Sequence, residues 1–326
     1  MSARGAARLC LGLLSLGALF SLGGCAKQPQ AEQPREIIVG FAQLGAESGW
    51  RVGNTADIER AAQRAHVQLM YKNADQRQDN QIKAIRSFIA SQVDVIAFAP
   101  IVEEGWDNVL REAKEAGIPV LLTDRFIRTE DESLYAGFVG SNFLQEGQAA
   151  AQFLLQKTAG QNHVRILQIT GTEDSTPMKQ RQQGFEQTIA GDSRYEIFQT
   201  ISGDFLRSKG KECMRNVLRE TRDIGVLYSH NDAMTLGAIE AIEEAGLVPG
   251  EDIVIITVDG EQGAIDLLKQ GKINCVVECT PLIGDVIMDL AKKLAAGEPI
   301  ARITYSSERT FTEYDSDLQA LPPRGY

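Results

Sequence analysis

From Glu36 onward, short apolar runs alternate with helical patterns, and this alternation bounds the fold more tightly than any other feature of the chain. Strands are expected at Ile37–Phe41, Val67–Tyr71, Val93–Ala99, Ile118–Leu122 and Tyr135–Val139. A second series follows at Val164–Thr170, Tyr195–Ile201, Ile224–Tyr228, Ile253–Val258 and Ile273–Cys279. Helices fill the gaps, among them Trp50–Ala65, Met178–Ala190 and Leu282–Ala295. Runs this short, and apolar on both faces, read as parallel strands buried between helix layers. Strict alternation implies right-handed crossovers and an α/β architecture, and two series imply two doubly wound lobes. Arg302 to Tyr326 reads as extended strands and loop.

The start of the chain stands apart. Arg4 and Arg8 flank an apolar run, Leu9 to Leu22, that is too short to span a bilayer comfortably. Leu22-Gly23-Gly24-Cys25 resembles the lipobox of bacterial lipoproteins, whose cysteine is lipidated and becomes the first mature residue. Residues 1–24 are therefore expected to be a lipoprotein signal peptide, and 25–35 a lipidated tether, polar and carrying Pro29 and Pro34. The mature chain would lie outside the cytoplasm, anchored to a membrane through Cys25. Losing the leader removes Arg4 and Arg8 and no acid, so the formal charge moves from −11 to −13. That argues against nucleic acid and phosphate-rich partners. Cys275 and Cys279 share an expected strand, roughly 13 Å apart, too far for a disulfide within it. With Cys213 they read as free thiols.

In open α/β sheets, ligands bind outside the carboxyl ends of the strands. Asp124-Arg125 follows the Ile118 strand, placing an acceptor-only carboxylate beside a five-donor guanidinium. The pair suits a neutral polyol, or else forms a salt-bridged strand end. Trp50-Arg51 opens the helix after the first strand, where Trp50 either stacks on a sugar ring or packs on its own lobe. The nearby glycines do not make G-x-G-x-x-G, and Glu47 would repel a pyrophosphate. Other strand ends present Ser141-Asn142, His230-Asn231-Asp232, Asp259-Gly260-Glu261 and Glu278-Cys279. Asp232 reads as a helix cap. Arg181 lies on a helix, either on a solvated face or turned to the ligand. The sequence contains no G-x-S-x-G elbow, P-loop or metal-spaced histidine pair, and Asp75–Asn80 lacks the glycine a calcium loop needs. No enzyme activity, cofactor or metal is expected.

Gly117-Ile118-Pro119-Val120 through Asp124-Arg125, His230-Asn231-Asp232 and Ile256-Thr257-Val258-Asp259-Gly260 together resemble the type I periplasmic sugar-binding proteins of the ribose/galactose type. Glu47-Ser48-Gly49-Trp50-Arg51, Asn80 to Ala84, Ser202 to Phe205 and Val277-Glu278 before Thr280-Pro281 resemble the galactofuranose-binding members that serve sugar ABC importers. The resemblance covers Glu36 to Tyr326. It implies two doubly wound parallel-sheet lobes joined by a three-crossing hinge, with crossings near Gly140, Cys279 and Arg302. On that basis the N-lobe is residues 36–140 and 280–302, and the C-lobe 141–279 and 303–326.

The resemblance also implies ligand contacts at Trp50, Arg51, Asp124, Arg125, Arg181, Phe205, Asn231, Asp259 and the hinge-side Glu278, and Asn142 joins them as a polar residue at a strand end. Glu278 matches the galactofuranose type where ribose binders carry Gln. Arg125 and Arg181 are expected to matter for binding and not for the fold. The implied function is capture of galactofuranose or a related sugar by a lipoprotein, monomeric, that docks on an ABC permease. Ribose, a pyranose hexose, another polyol, or a signalling partner in place of the permease are the alternatives.

Overall fold

The computed structural model describes residues 35–326, and Glu36–Tyr326 forms one compact unit. The expected signal peptide and Cys25 lie outside the described residues. The first series runs β1 (Ile37–Gln43), α1 (Gly49–Ala65), β2 (Val67–Asn73), α2 (Gln78–Ala90), β3 (Val95–Phe98), α3 (Asp107–Glu115), β4 (Val120–Thr123) and β5 (Gly137–Gly140). The second runs α4 (Phe143–Lys157), β6 (Val164–Thr170), α5 (Thr176–Ile189), β7 (Tyr195–Ser202), α6 (Arg207–Glu220), β8 (Val226–Ser229), α7 (Asp232–Glu244), β9 (Val254–Asp259), α8 (Gln262–Lys269) and β10 (Cys275–Glu278). After them come α9 (Gly284–Ala295), β11 (Ile303–Tyr305) and β12 (Thr310–Thr312).

The described strands build two six-stranded sheets, ordered β11-β5-β4-β3-β1-β2 and β12-β10-β9-β8-β6-β7. All pairings are parallel except the antiparallel edge strand β12 on β10. Each sheet is buried on both faces, which is why its strands read as unbroken apolar runs. In β4, Val120 and Leu122 pack into one core with Phe98 and Phe138, while Leu121 turns to the other with Phe41 and Val139. The second lobe repeats this: Leu227 faces Met234 and Ile255, and Tyr228 faces Phe185 and Ile256.

One boundary is corrected. Residues from 303 on were assigned to the C-lobe, yet β11 pairs in parallel with β5 in the first sheet, Ile303 opposite Phe138. Arg302 fixes the strand there. Its guanidinium lies 3.5 Å from the Tyr135 ring centroid and donates to the carbonyls of Tyr135 and Glu132. The chain therefore crosses back after Tyr305, through Ser306 to Arg309, and not near Arg302. The other passages are Ser141–Asn142, between β5 and α4, and Cys279–Ile283, between β10 and α9. α9 returns to pack Ile287 and Met288 with Ile58 of α1.

Candidate functional site

The carboxyl ends of β1, β4, β8 and β9 converge where the two sheets face each other, around a small cavity. Its first-lobe wall is Glu47, Ser48, Trp50, Arg51, Asp124 and Arg125. The facing wall is Pro177, Arg181, Phe205, Asn231, Asp259 and the passage residue Cys279. Eight of the ten side chains expected at the ligand thus meet here.

Ser48 caps α1, accepting from the Arg51 backbone N–H at 3.2 Å, and so starts the helix where Trp50 and Arg51 point inward. Arg51 donates to Asp124 Oδ2 at 2.6 Å, to Glu47 Oε1 at 3.1 Å and to Gln43 Oε1 at 3.3 Å. Burial alone would depress its pKa, but Asp124 and Glu47 outweigh burial and raise it above the ordinary arginine range. Arg125 is different. Burial, and then the Arg51 guanidinium, pull it down to about 10. Its Nη1 donates to the Ile101 carbonyl at 3.2 Å, while buried Nε has no hydrogen-bond partner among the described residues. The guanidinium lies 5.3 Å from the Phe205 ring centroid.

Across the cavity, Arg181 is held on three sides. Nε donates to Glu146 Oε2 at 2.6 Å, Nη1 to the His230 carbonyl at 2.6 Å, and Nη2 lies 3.7 Å from Asp259 Oδ1. At 3 % exposed, it is no solvated helix face. Burial, followed by Arg181, keeps His230 neutral. Burial likewise pushes the Asp259 carboxyl well up, with Asp232 and Glu261 adding to the effect and Arg181 opposing it. Asn231, not Asp232, caps α7, accepting from Met234 N–H at 3.0 Å. Asp232 instead accepts from Thr257 Oγ1, Gly260 N–H and Glu261 N–H, each at 2.7 Å, and so clamps the turn that presents Asp259. Asp259 (φ 127°) and Phe205 (φ 61°) hold backbone conformations that cost non-glycine residues energy, the kind of strain that collects at binding sites. Gly171 makes room for the Phe205 ring: a Cβ there would lie 1.8 Å from Phe205 Cζ.

The lobes touch along both rims of the cavity. Trp50 N–H donates to Glu261 Oε1 at 2.7 Å, and its indole N–H to the Cys279 carbonyl at 2.5 Å. On the other side, Lys179 meets Glu103 at 2.9 Å, and Phe126 exchanges hydrogen bonds with Thr176 Oγ1 at 3.1 Å. The conformation is closed.

Two expected contacts lie elsewhere. Asn142 caps α4, accepting from Gln145 N–H at 3.1 Å. Glu278 is taken by the C-terminal segment: its carboxylate pairs with Arg324 and accepts Arg309 N–H at 3.0 Å. Both line a second cavity, of about 470 Å³, behind the passages. Glu278→Gln is therefore expected to leave ligand affinity within about twofold, because a partly exposed pair away from the ligand contributes little. A titration showing a tenfold loss would return Glu278 to the site. Five wall or support residues went unread as ligand positions: Glu47, Ser48, Pro177, Cys279 and Glu146. Glu47 has a usable signal, lying one helical turn before Arg51. Glu146 has none, since its role depends on α5 packing against α4.

The wall is chemically balanced. Arg51, Arg125 and Arg181 face Glu47, Asp124 and Asp259, with Trp50 and Phe205 between them. Such a set both donates and accepts strong hydrogen bonds without favouring a net charge, which suits a neutral polyhydroxy molecule. Residues 39–299 match the periplasmic binding protein domain family. The chain belongs to that family. A relative is the galactofuranose-binding protein YtfQ of Escherichia coli (strain K12), 39 % identical over 260 residues that span 79 % of this chain and 81 % of that protein. A Mycobacterium smegmatis structure in complex with β-D-fucofuranose is 45 % identical, covering 87 % of this chain and 93 % of that one, with a TM-score of 0.85. The binding component of an arabinose ABC transporter from Shewanella sp. ANA-3, bound to α- and β-L-arabinofuranose, is 39 % identical with a TM-score of 0.83, over 87 % and 93 % of the two chains. The family has the two-lobe α/β fold described above, and the chain is a solute-binding protein, not an enzyme.

Proposed function

We propose that the chain captures a furanose sugar, galactofuranose or a close relative, in the cavity between its lobes and delivers it to an ABC importer. The observation that carries this reading is the convergence of three buried guanidiniums on one small, charge-balanced cavity, each with acidic neighbours and with aromatic rings on both walls. The relatives that bind galactofuranose, fucofuranose and arabinofuranose support a five-membered ring. Glu278, held by the C-terminal segment, no longer argues for it; Arg51 with Glu47 does, as a polar corner able to take the exocyclic arm of a hexofuranose. Ligand contacts fall on Trp50, Arg51, Asp124, Arg125, Arg181, Phe205, Asn231 and Asp259. The lobes swing about the three passages, and the closed form is the one a membrane partner recognises. The test is a competition titration of galactofuranose, galactopyranose, ribose and arabinose. Galactofuranose should bind tightest, and tighter binding of ribose would overturn the furanose assignment.

Residues 1–24 act on this reading as a lipoprotein signal peptide, leaving a monomer lipidated on Cys25 outside the cytoplasm. Cys25→Ser should stop lipid labelling and release the protein from membranes. Unchanged labelling would remove the anchor.

A further inference from the structure

All three passages between the lobes meet in one cluster behind the sugar cavity. Ser141 belongs to the first, Cys279 and Thr280 to the second, Ser306 and Glu308 to the third. Glu308 Oε1 accepts from Ser141 Oγ at 2.5 Å, from Ser306 Oγ at 2.9 Å and from Thr280 N–H at 2.9 Å. Ser141 Oγ also lies 3.3 Å from Cys279 Sγ. Glu146 reaches the same place from α4. It is 3 % exposed, and while Oε2 takes Arg181, Oε1 has no hydrogen-bond partner among the described residues. One oxygen of Glu146, one of Glu308 and Cys279 Sγ all lie within 4.8 Å of one another.

Three groups that carry negative charge when ionised are thus packed together with one neighbouring cation, Arg181. A dication offsets this crowding of negative charge, and a coordinated thiol loses its proton. With all three ligands ionised, Arg181 and a dication leave the cluster neutral.

We propose that Glu146, Cys279 and Glu308 form a divalent-metal site, with Zn²⁺ as the best-matched ion. One thiolate and two carboxylates suit this borderline-soft ion and do not suit Mg²⁺ or Ca²⁺, which take all-oxygen shells. The outer contacts that orient metal ligands are in place: Arg181 on Glu146, and Ser141, Ser306 and the Thr280 N–H on Glu308. Access runs through the cavity behind the passages, whose wall includes Glu146, Ser306 and Glu308, and water there can complete a tetrahedral shell. The site adjoins the sugar cavity: Cys279 borders both, and Arg181 lines the cavity while it holds Glu146.

The test is to titrate Co²⁺ into the metal-free protein at neutral pH and follow its thiolate-to-metal charge-transfer absorption, then displace it with Zn²⁺. The wild type should show the band. Cys279→Ser should lose it, and Glu308→Gln should weaken Zn²⁺ binding about tenfold or more. Circular dichroism on both variants checks that the fold is intact. No band in the wild type, a band that persists in Cys279→Ser, or Zn²⁺ affinity unchanged in both folded variants overturns the site.

Discussion

Arg181→Ala should abolish measurable sugar binding and destabilise the protein in the same step. Arg181 faces the cavity, but it is also the partner of Glu146 at 2.6 Å and lies 3.7 Å from Asp259. Truncation leaves Glu146, 3 % exposed, as a carboxylate with no cation beside it and strips the His230 carbonyl of its donor. Removing one partner of a buried ion pair costs about 3–5 kcal/mol, because the remaining charge stays buried and uncompensated. Binding loses a further about 2–5 kcal/mol from the desolvated hydrogen bonds to the ligand. Urea denaturation gives the first quantity and titration calorimetry the second. A variant that binds no sugar yet unfolds at the parental midpoint would show that Glu146 does not depend on Arg181. This revises the expectation that Arg181 is dispensable for the fold.

Arg125→Met should separate the two effects. Arg125 is as buried as Arg181, but its acidic neighbours are farther away, Asp124 at 3.7 Å and Glu47 at 3.9 Å. Asp124 is already engaged by Arg51 at 2.6 Å. Burial and the neighbouring guanidiniums pull the Arg125 pKa down to about 10, so the ligand-free protein carries a charge that its surroundings disfavour. Methionine keeps much of the volume and removes that charge. Sugar affinity should fall at least about 100-fold, some 3 kcal/mol, through lost charge-assisted hydrogen bonds. Stability should hold or rise by about 1–3 kcal/mol, as happens when buried ionic groups are replaced by apolar ones of similar size. A loss of stability comparable to that of Arg181→Ala would mean that Arg125 anchors the fold after all.

The contrast between these arginines marks the limit of what the sequence discloses. Both lie on the expected elements, one at a strand end and one on a helix. Asp124-Arg125 is legible because an apolar run that stops abruptly at a charged pair fixes both the strand and its carboxyl end. Whether each guanidinium is paired depends on which acid arrives from another element, and no local pattern records that Glu146 on α4 meets Arg181 on α5. The same holds for Glu278. Its place at the end of β10 was read correctly, but Arg324 claims its side chain from the far end of the chain. The segment after Arg302 reads as extended strands, but the sheet that β11 joins was not legible, for a related reason. Three residues without periodicity do not name their partner, and the strand joins the first sheet because β5 offers a free edge and Arg302 stacks on Tyr135. Asp232 reads as the cap that Asn231 in fact supplies, for want of a single backbone angle: the residue in extended conformation caps, and the next one starts the helix.

β11 has a consequence for the order in which the protein can be completed. During synthesis every other strand of the first sheet emerges before any of the second, yet the open edge of β5 waits for Ile303. A ribosome-bound chain thus carries an unprotected strand edge until Ile303 to Tyr305 appear, and pairing so distant in sequence forms slowly.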